Sequence, residues 1–153
     1  MLTLLIMVYG CNSNNQAGSL ETNRELVRKY SEIWSTGKVE NLDKIMAPDF
    51  TCHFIDGIEW KGIDGAKNAI SNIRKAFPDW HEEILDVIAE GDKVVTRFKS
   101  TGTQRARFDG IDSTGIKITI FEVSINRIVN GKLVEQWGFP DALSFNHQLQ
   151  PKK

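Results

Sequence analysis

The stretch Ile116-Lys-Ile-Thr-Ile-Phe-Glu-Val-Ser-Ile-Asn-Arg-Ile-Val-Asn-Gly-Lys-Leu-Val-Glu-Gln-Trp-Gly-Phe-Pro-Asp141 decides how this chain folds. Two runs rich in β-branched and aromatic residues flank Asn130-Gly131. That pair is the strongest short-range signal for a two-residue hairpin turn, because both central positions need φ > 0. The stretch therefore predicts a long β-hairpin, with Glu122 in the middle of its first strand. Residues of equal parity share a face of a strand, so Glu135, Trp137, Phe139 and Asp141 point one way if the strand stays regular past Pro140. A carboxylate, Asp141, at the end of an aromatic face is the most site-like arrangement in the sequence.

Upstream of the hairpin the character is also β. His81 to Ala89 reads as a strand with Leu85, Val87 and Ala89 on one face and Ile84 and Ile88 on the other. Glu90-Gly91-Asp92 turns the chain, and Lys93 to Thr101 returns it. Gln104 to Gly115 reads as a loop. Earlier still, helical spacing takes over. Thr22-Asn-Arg-Glu25 fits a capping box, and Leu26, Val27, Tyr30, Ile33 and Trp34 form an apolar stripe that Gly37 stops. A short helix over Asn41 to Met46 precedes a strand over Asp49 to Ile55, whose residues Phe50, Cys52 and Phe54 share a face. A third helix covers about Asp64 to Phe77, and Pro78 ends it. Helices gathered early and a meander late define an α+β class in which the helices cover one face of an antiparallel sheet. If that sheet bends strongly, a pocket opens between its concave face and the helices.

The chain has 153 residues, a formal charge of −1, 41% hydrophobic residues and 25% charged ones. That is one domain's worth of ordinary globular sequence. With no Lys/Arg cluster there is no electrostatic footprint for nucleic acid. The N-terminus is different. Met1 to Tyr9 is almost wholly apolar, with no basic residue before it, too short to span a bilayer and about as long as a signal-peptide core. Val8-Tyr9-Gly10-Cys11 resembles the lipobox of bacterial lipoproteins, and Asn12 to Ser19 reads as a polar tether. We therefore expect residues 1–10 to be a signal peptide, Cys11 to be the lipidated residue, residues 11–19 to be a flexible tether and 20–149 to be the folded domain. The protein would then sit in the bacterial cell envelope, touching membrane only through its lipid anchor. The competing reading is a buried N-terminal strand with an incidental cysteine.

Several chemistries find no support. His53, His81 and His147 are scattered, without metal-ligand spacing, and Thr101-Gly-Thr-Gln104 lacks both phosphate-cradling glycine patterns. There is no Gly-x-Ser-x-Gly elbow. What remains is carboxylate acid/base chemistry in an apolar cavity, where desolvation moves a carboxyl pKa toward neutrality.

Phe77-Pro78-Asp79-Trp80-His81, Glu90-Gly91-Asp92-Lys93-Val94-Val95, Thr101-Gly102-Thr103, Arg127, Asn130-Gly131-Lys132 and Glu135-x-Trp137-x-x-x-Asp141 follow one another in register. Together they resemble the SnoaL-like polyketide cyclase (ester cyclase) family of the nuclear-transport-factor-2-like fold, over roughly residues 20–149. The resemblance implies a cone-shaped, curved antiparallel sheet with helices on its concave face, a deep apolar pocket, no cofactor and a homodimer or larger assembly. It implies Asp141 as the acid/base. Family members often carry histidine where this chain has Gln104 or Ser124, so Gln104 and Glu122 are expected as polar orienters. Trp137, Phe98, Phe54, His53 and Trp60 are the expected substrate-binding residues. The ligand would be a small, largely apolar carbonyl or ester compound, either transformed or simply bound. Plainer roles stand beside these. Asp141 is also placed to cap a last helix, Glu122 to pair with Arg97 or Arg105, and the tryptophans to pack in the core.

Overall fold

The computed structural model describes residues 13–54 and 57–150, with side chains from Ser19 onward. Cys11 and the expected signal peptide lie outside the described residues. The first helix, α1 (Ser13–Thr36), starts earlier than the capping box predicts. Nothing between Asn14 and Glu21 breaks a helix beyond the modest cost of one glycine, so most of the expected tether is helical in backbone. Thr22 consequently lies inside the helix instead of capping it. The apolar stripe holds: Leu26, Val27, Tyr30 and Ile33 are all buried.

A single 3-10 turn (Val39–Asn41) and a one-turn helix, α2 (Leu42–Ile45), lead into β1 (Met46–Phe54). A three-residue strand that the sequence reading missed, β2 (Glu59–Lys61), pairs back on β1. Next, α3 (Gly62–Ala76) carries the chain from that edge of the sheet to the opposite one. There β3 (His81–Glu90), β4 (Lys93–Thr103), β5 (Lys117–Val129) and β6 (Lys132–Pro140) meander back, and α4 (Ala142–Leu149) follows. The sheet order is β2-β1-β6-β5-β4-β3. Because the meander ends beside β1, the β1–β6 pair is parallel, so the sheet is mixed and not wholly antiparallel as expected. Every other pair is antiparallel.

The long hairpin closes at Asn130 (φ 52°) and Gly131 (φ 71°), the two positive angles that this residue pair was read to supply. Two bulges then decide which side chains face inward. In β3 the register shifts between Ile84 and Asp86, so Leu85 is the extra residue. Glu82 and Ile84 face the concave side before the bulge, and Val87 and Ala89 join the core beyond it. In β6 the register shifts between Leu133 and Glu135, which brings Gln136 and Gly138 to the concave side.

The core has two centres. Residues of α1 and α3 pack with Phe50, Cys52, Val94, Ile128 and Leu133 of the sheet at one end. At the other, Phe77, Trp80, Ile118, Ile120 and Leu149 form a second cluster, where Phe77, Phe108 and Phe145 meet edge to face at 5.6–5.7 Å. The Thr-Gly-Thr block serves this packing. A Cβ on Gly102 would lie 3.0 Å from Phe77 Cβ and 3.0 Å from Trp80, so any larger residue would push on these two side chains as β4 passes. The neighbouring Thr103 donates its N–H (2.6 Å) and hydroxyl (2.8 Å) to the Asp79 carboxylate.

Candidate functional site

Between the two core centres the sheet curves away from the helices and leaves a cavity of about 490 Å³. That is within the size range of small-molecule sites. Its walls are mostly apolar, with Trp34, Trp60, Ile73 and Trp80 joined by Phe54, Ile84, Phe98 and Ile120 of the long strands. Phe54 and Trp60 support each other at 4.7 Å between ring centres, and Trp60 leans on Trp34 at 5.8 Å. Among the described residues, no lysine, arginine or histidine lines the cavity.

Three carboxyl residues line it: Glu82 from β3, Glu122 from β5 and, exposed to solvent, Asp109 of the loop between β4 and β5. Glu82 stands opposite Ser100 of β4, and Glu122 stands opposite Phe98 of the same strand, so the two acids sit diagonally across β4. Ser31 of α1 donates its hydroxyl to Glu82 at 2.7 Å. Burial, reinforced by the negative charge of Glu122, pushes the Glu82 carboxyl up to about 8; the Ser31 hydroxyl and the nearby Trp80 indole oppose the shift without cancelling it. Burial likewise pushes Glu122 up to about 7, with Ser100 opposing weakly. The Ser100 hydroxyl and the Trp80 N–H are close enough to act on these charges, yet neither closes a hydrogen bond of good geometry. Glu122 Oε1 is also sealed and unpaired. The expected bridge from Glu122 to Arg97 is not formed, because Arg97 pairs with Asp86 on the outer face at 2.6 Å. Two coupled carboxyls in an apolar chamber lose their protons in steps that belong to the pair, in a range where each can give or take a proton at neutral pH.

The other expected site residues divide. Phe54, Phe98, Trp60 and Glu122 line the cavity. Asp141 does not. It is exposed, and its carboxylate accepts the Ser144 N–H at 2.9 Å as the N-cap of α4. The chain leaves strand geometry there (φ −74°, ψ 73°), so the parity argument stops one residue short of Asp141. Trp137 lies on the convex face, stacked on His53 with ring centres 5.7 Å apart. His53 bridges Glu59 at 3.0 Å and Glu135 at 3.1 Å, and Arg127 holds Glu135 at 2.9 Å, all outside the cavity. Glu135 and Trp137 share a face as read, but it is the outer one; Phe139, of the same parity, also lines the cavity near the end of β6. Gln104 is fully buried and occupied elsewhere: its Oε1 accepts from Thr114 N and Oγ1 at 3.1 and 2.6 Å, and its Nε2 donates to the Ile111 carbonyl at 3.2 Å. It folds the loop between β4 and β5 instead of meeting a ligand.

Glu82 is the residue that sequence reasoning missed. The parity of Val87 and Ala89 assigns it to the outer face, and only the bulge at Leu85 reverses that. Its one visible signal was a carboxylate two positions from both Trp80 and Ile84. Among the described residues no group of three or more His, Cys, Asp or Glu side chains could hold a metal ion. No described helix is long and apolar enough to cross a membrane.

A helix-lined cone of mixed sheet enclosing a small-molecule cavity is the nuclear-transport-factor-2-like architecture. The sequence profile of SnoaL-like polyketide cyclases matches residues 24–149, and the chain belongs to that family. Among solved structures it is similar to a candidate polyketide cyclase from Acidithiobacillus ferrooxidans, at 30% identity and a TM-score of 0.75, covering 84% of this chain and 94% of that one. A candidate polyketide cyclase from Bacillus cereus is also 30% identical, with a TM-score of 0.72 and coverage of 84% and 80%. A candidate SnoaL-like polyketide cyclase from Jannaschia sp. CCS1 shares the fold at 23% identity and a TM-score of 0.80, over 87% of this chain and 94% of that one. No curated protein matches the chain.

Proposed function

We propose that the chain carries out cofactor-independent acid/base chemistry, such as cyclisation, isomerisation or hydrolysis, on a small, largely apolar carbonyl or ester compound. The observation behind this is the Glu122 carboxyl, facing an apolar cavity with one oxygen unpaired and no cation beside it. As carboxylate it takes a proton from a carbon next to a carbonyl; as carboxylic acid it returns a proton to the product. Glu82 is coupled to that exchange, since the negative charge of an ionised Glu122 favours a protonated Glu82. The aromatic walls keep water from competing. In this reading Asp141, the position that the family resemblance favours, contributes a helix cap.

A non-catalytic ligand-binding or scavenging role is the second reading. It draws on one observation: both Asp141 and Gln104 are tied into structure and not turned toward the cavity. Anchoring in the bacterial envelope through Cys11, and assembly as a homodimer, belong to the same proposal and rest on the sequence alone.

The two readings part in one experiment. Deuterium exchange from heavy water into the methylene of ethyl benzoylacetate, followed by NMR above the buffer background, measures proton abstraction directly. Catalysis predicts saturable exchange, with a rate that rises as the carboxyl pair ionises near neutrality. Glu122→Gln should lower it by roughly 10²-fold. Saturable binding of the ester with no exchange above background would leave the binding module standing.

A further inference from the structure

Beside the carboxyl pair, the cavity wall holds a second polar group of a different kind. Thr96 of β4 and Ser124 of β5 are cross-strand partners that face the cavity, with their hydroxyls 3.2 Å apart. Asn126, fully buried behind them, donates Nδ2 to the Val94 carbonyl at 3.3 Å, to Thr96 Oγ1 at 3.2 Å and to Ser124 Oγ at 3.0 Å. The Val94 carbonyl can only accept, which fixes the amide with its NH₂ toward the hydroxyls. One of its two protons serves the Val94 carbonyl, and the other is shared between the two hydroxyl oxygens. Between them they own two protons, and their mutual contact uses one. The other remains to point into the cavity.

Gln136, opposite Asn126 on β6, repeats the arrangement. Its Oε1 accepts from the Tyr30 hydroxyl at 3.4 Å and the Cys52 thiol at 3.3 Å. Burial raises both the Tyr30 phenol and the Cys52 thiol, the latter to about 12, so both keep their protons and act as donors. With Oε1 so occupied, the Gln136 NH₂ closes no hydrogen bond with the described residues, and it belongs to a side chain that lines the cavity. The wall thus presents neutral donors that close no hydrogen bond, with Ser124 about 7 Å along β5 from Glu122, two residues of strand away. The unpaired acceptors nearby, Asn126 Oδ1 and Glu122 Oε1, are sealed from the cavity.

We infer that the Thr96–Ser124 hydroxyl pair and the Gln136 amide form a receptor for one neutral acceptor oxygen, a ketone or ester carbonyl, on the ligand. Glu122 and this receptor then grip the same ligand from one face of the sheet. The donors take the carbonyl oxygen, and they stabilise the negative charge that grows on it when a neighbouring carbon loses its proton. Because they are uncharged and held by Asn126, Tyr30 and Cys52 behind them, they need no rearrangement to do so. The inference builds on the cavity being the functional site, but not on any turnover there.

Acetylnaphthalene, a flat ketone small enough for the cavity, and ethylnaphthalene, its hydrocarbon counterpart, test it. The ketone should bind roughly tenfold more tightly than the hydrocarbon, the contribution of one or two neutral hydrogen bonds. Its infrared carbonyl stretch should move to lower frequency on binding, relative to the ketone in hexane. Gln136→Met and Ser124→Ala should each weaken that shift and the preference for the ketone. Ser124→Ala removes only one hydroxyl, so it keeps the test sound if Gln136→Met fails to fold. Glu122→Gln should leave the shift in place, so loss of exchange activity and loss of the carbonyl receptor are separate results. Equal affinity for the two compounds, an unshifted stretch, or a shift that survives Ser124→Ala but vanishes in Glu122→Gln would overturn the assignment.

Discussion

Glu82 and Glu122 face the same cavity from β3 and β5, separated by the single strand β4, and the negative charge of Glu122 helps hold Glu82 protonated. Two like charges confined in an apolar chamber destabilise the fold whenever both are ionised. Their folded-state values, about 8 and about 7, lie above the ordinary carboxylate range. Between that range and about pH 8 the folded protein therefore holds protons that the unfolded chain has released. Stability should fall as pH rises across this window and level off above it. Glu82→Gln, which keeps an oxygen for the Ser31 hydroxyl, should flatten the fall. At about pH 9 its melting temperature should exceed the wild type by roughly 5 °C or more, and near pH 4 the two should nearly coincide. A Glu82→Gln protein that melts below the wild type at the alkaline end would show that the ionised pair is not a burden.

Much of this fold is written in local signals. The Asn130-Gly131 pair, the α1 stripe and Pro78 each act within a few residues, and each appears in the structure where the sequence put it. The site was harder to read because it depends on facing, which is not local. Alternation tells which residues share a face, but not which face is inside. Trp137 was rightly read as sharing a face with Glu135, but on the wrong side. Glu122 was found because it breaks an apolar run whose neighbours, Ile118 and Ile120, are core. Glu82 was hidden by one extra residue, Leu85, and Asp141 was misread because the strand ends at Pro140. A bulge and a strand end both arise from pairing with other strands, and a single segment carries little trace of either.

The hairpin turn gives a clean measure of local backbone demand. A Cβ at Gly131 would meet nothing within 4 Å, so crowding plays no part there. Only the positive φ matters. Gly131→Val should cost about 1 kcal/mol or more in chemical denaturation, with the cavity and its ligand affinity unchanged. A neutral substitution would mean that the turn relaxes to another type at no cost.

Envelope anchoring makes a separate prediction. In a bacterial host the processed chain should begin at an acylated Cys11 and sediment with membranes, and Cys11→Ser should move it to the soluble fraction. Stable anchoring needs more than one acyl chain, so a mass consistent with several is expected at the new N-terminus. An unprocessed Met1 terminus in a wholly cytosolic protein would remove the lipoprotein assignment while leaving the cavity chemistry untouched.

The last prediction separates the carboxylate of the helix cap from the carboxylate of the cavity. Asp141 accepts the Ser144 N–H and faces solvent, so its work is to start α4. Through Phe145 and Leu149 that helix contributes to the second core cluster. Removing the cap should loosen the end of the cone without touching the proton chemistry. Asp141→Ala should cost about 1 kcal/mol of stability, and Asp141→Asn, an equally good cap, should cost next to nothing. Both should keep deuterium exchange into ethyl benzoylacetate within about threefold of the wild type, whereas Glu122→Gln should lose exchange by roughly 10²-fold with no loss of stability. The opposite pattern, with Asp141→Asn inactive and Glu122→Gln active, would require α4 to move and turn Asp141 inward during the reaction. It would return the acid/base role to the position that the family resemblance favours.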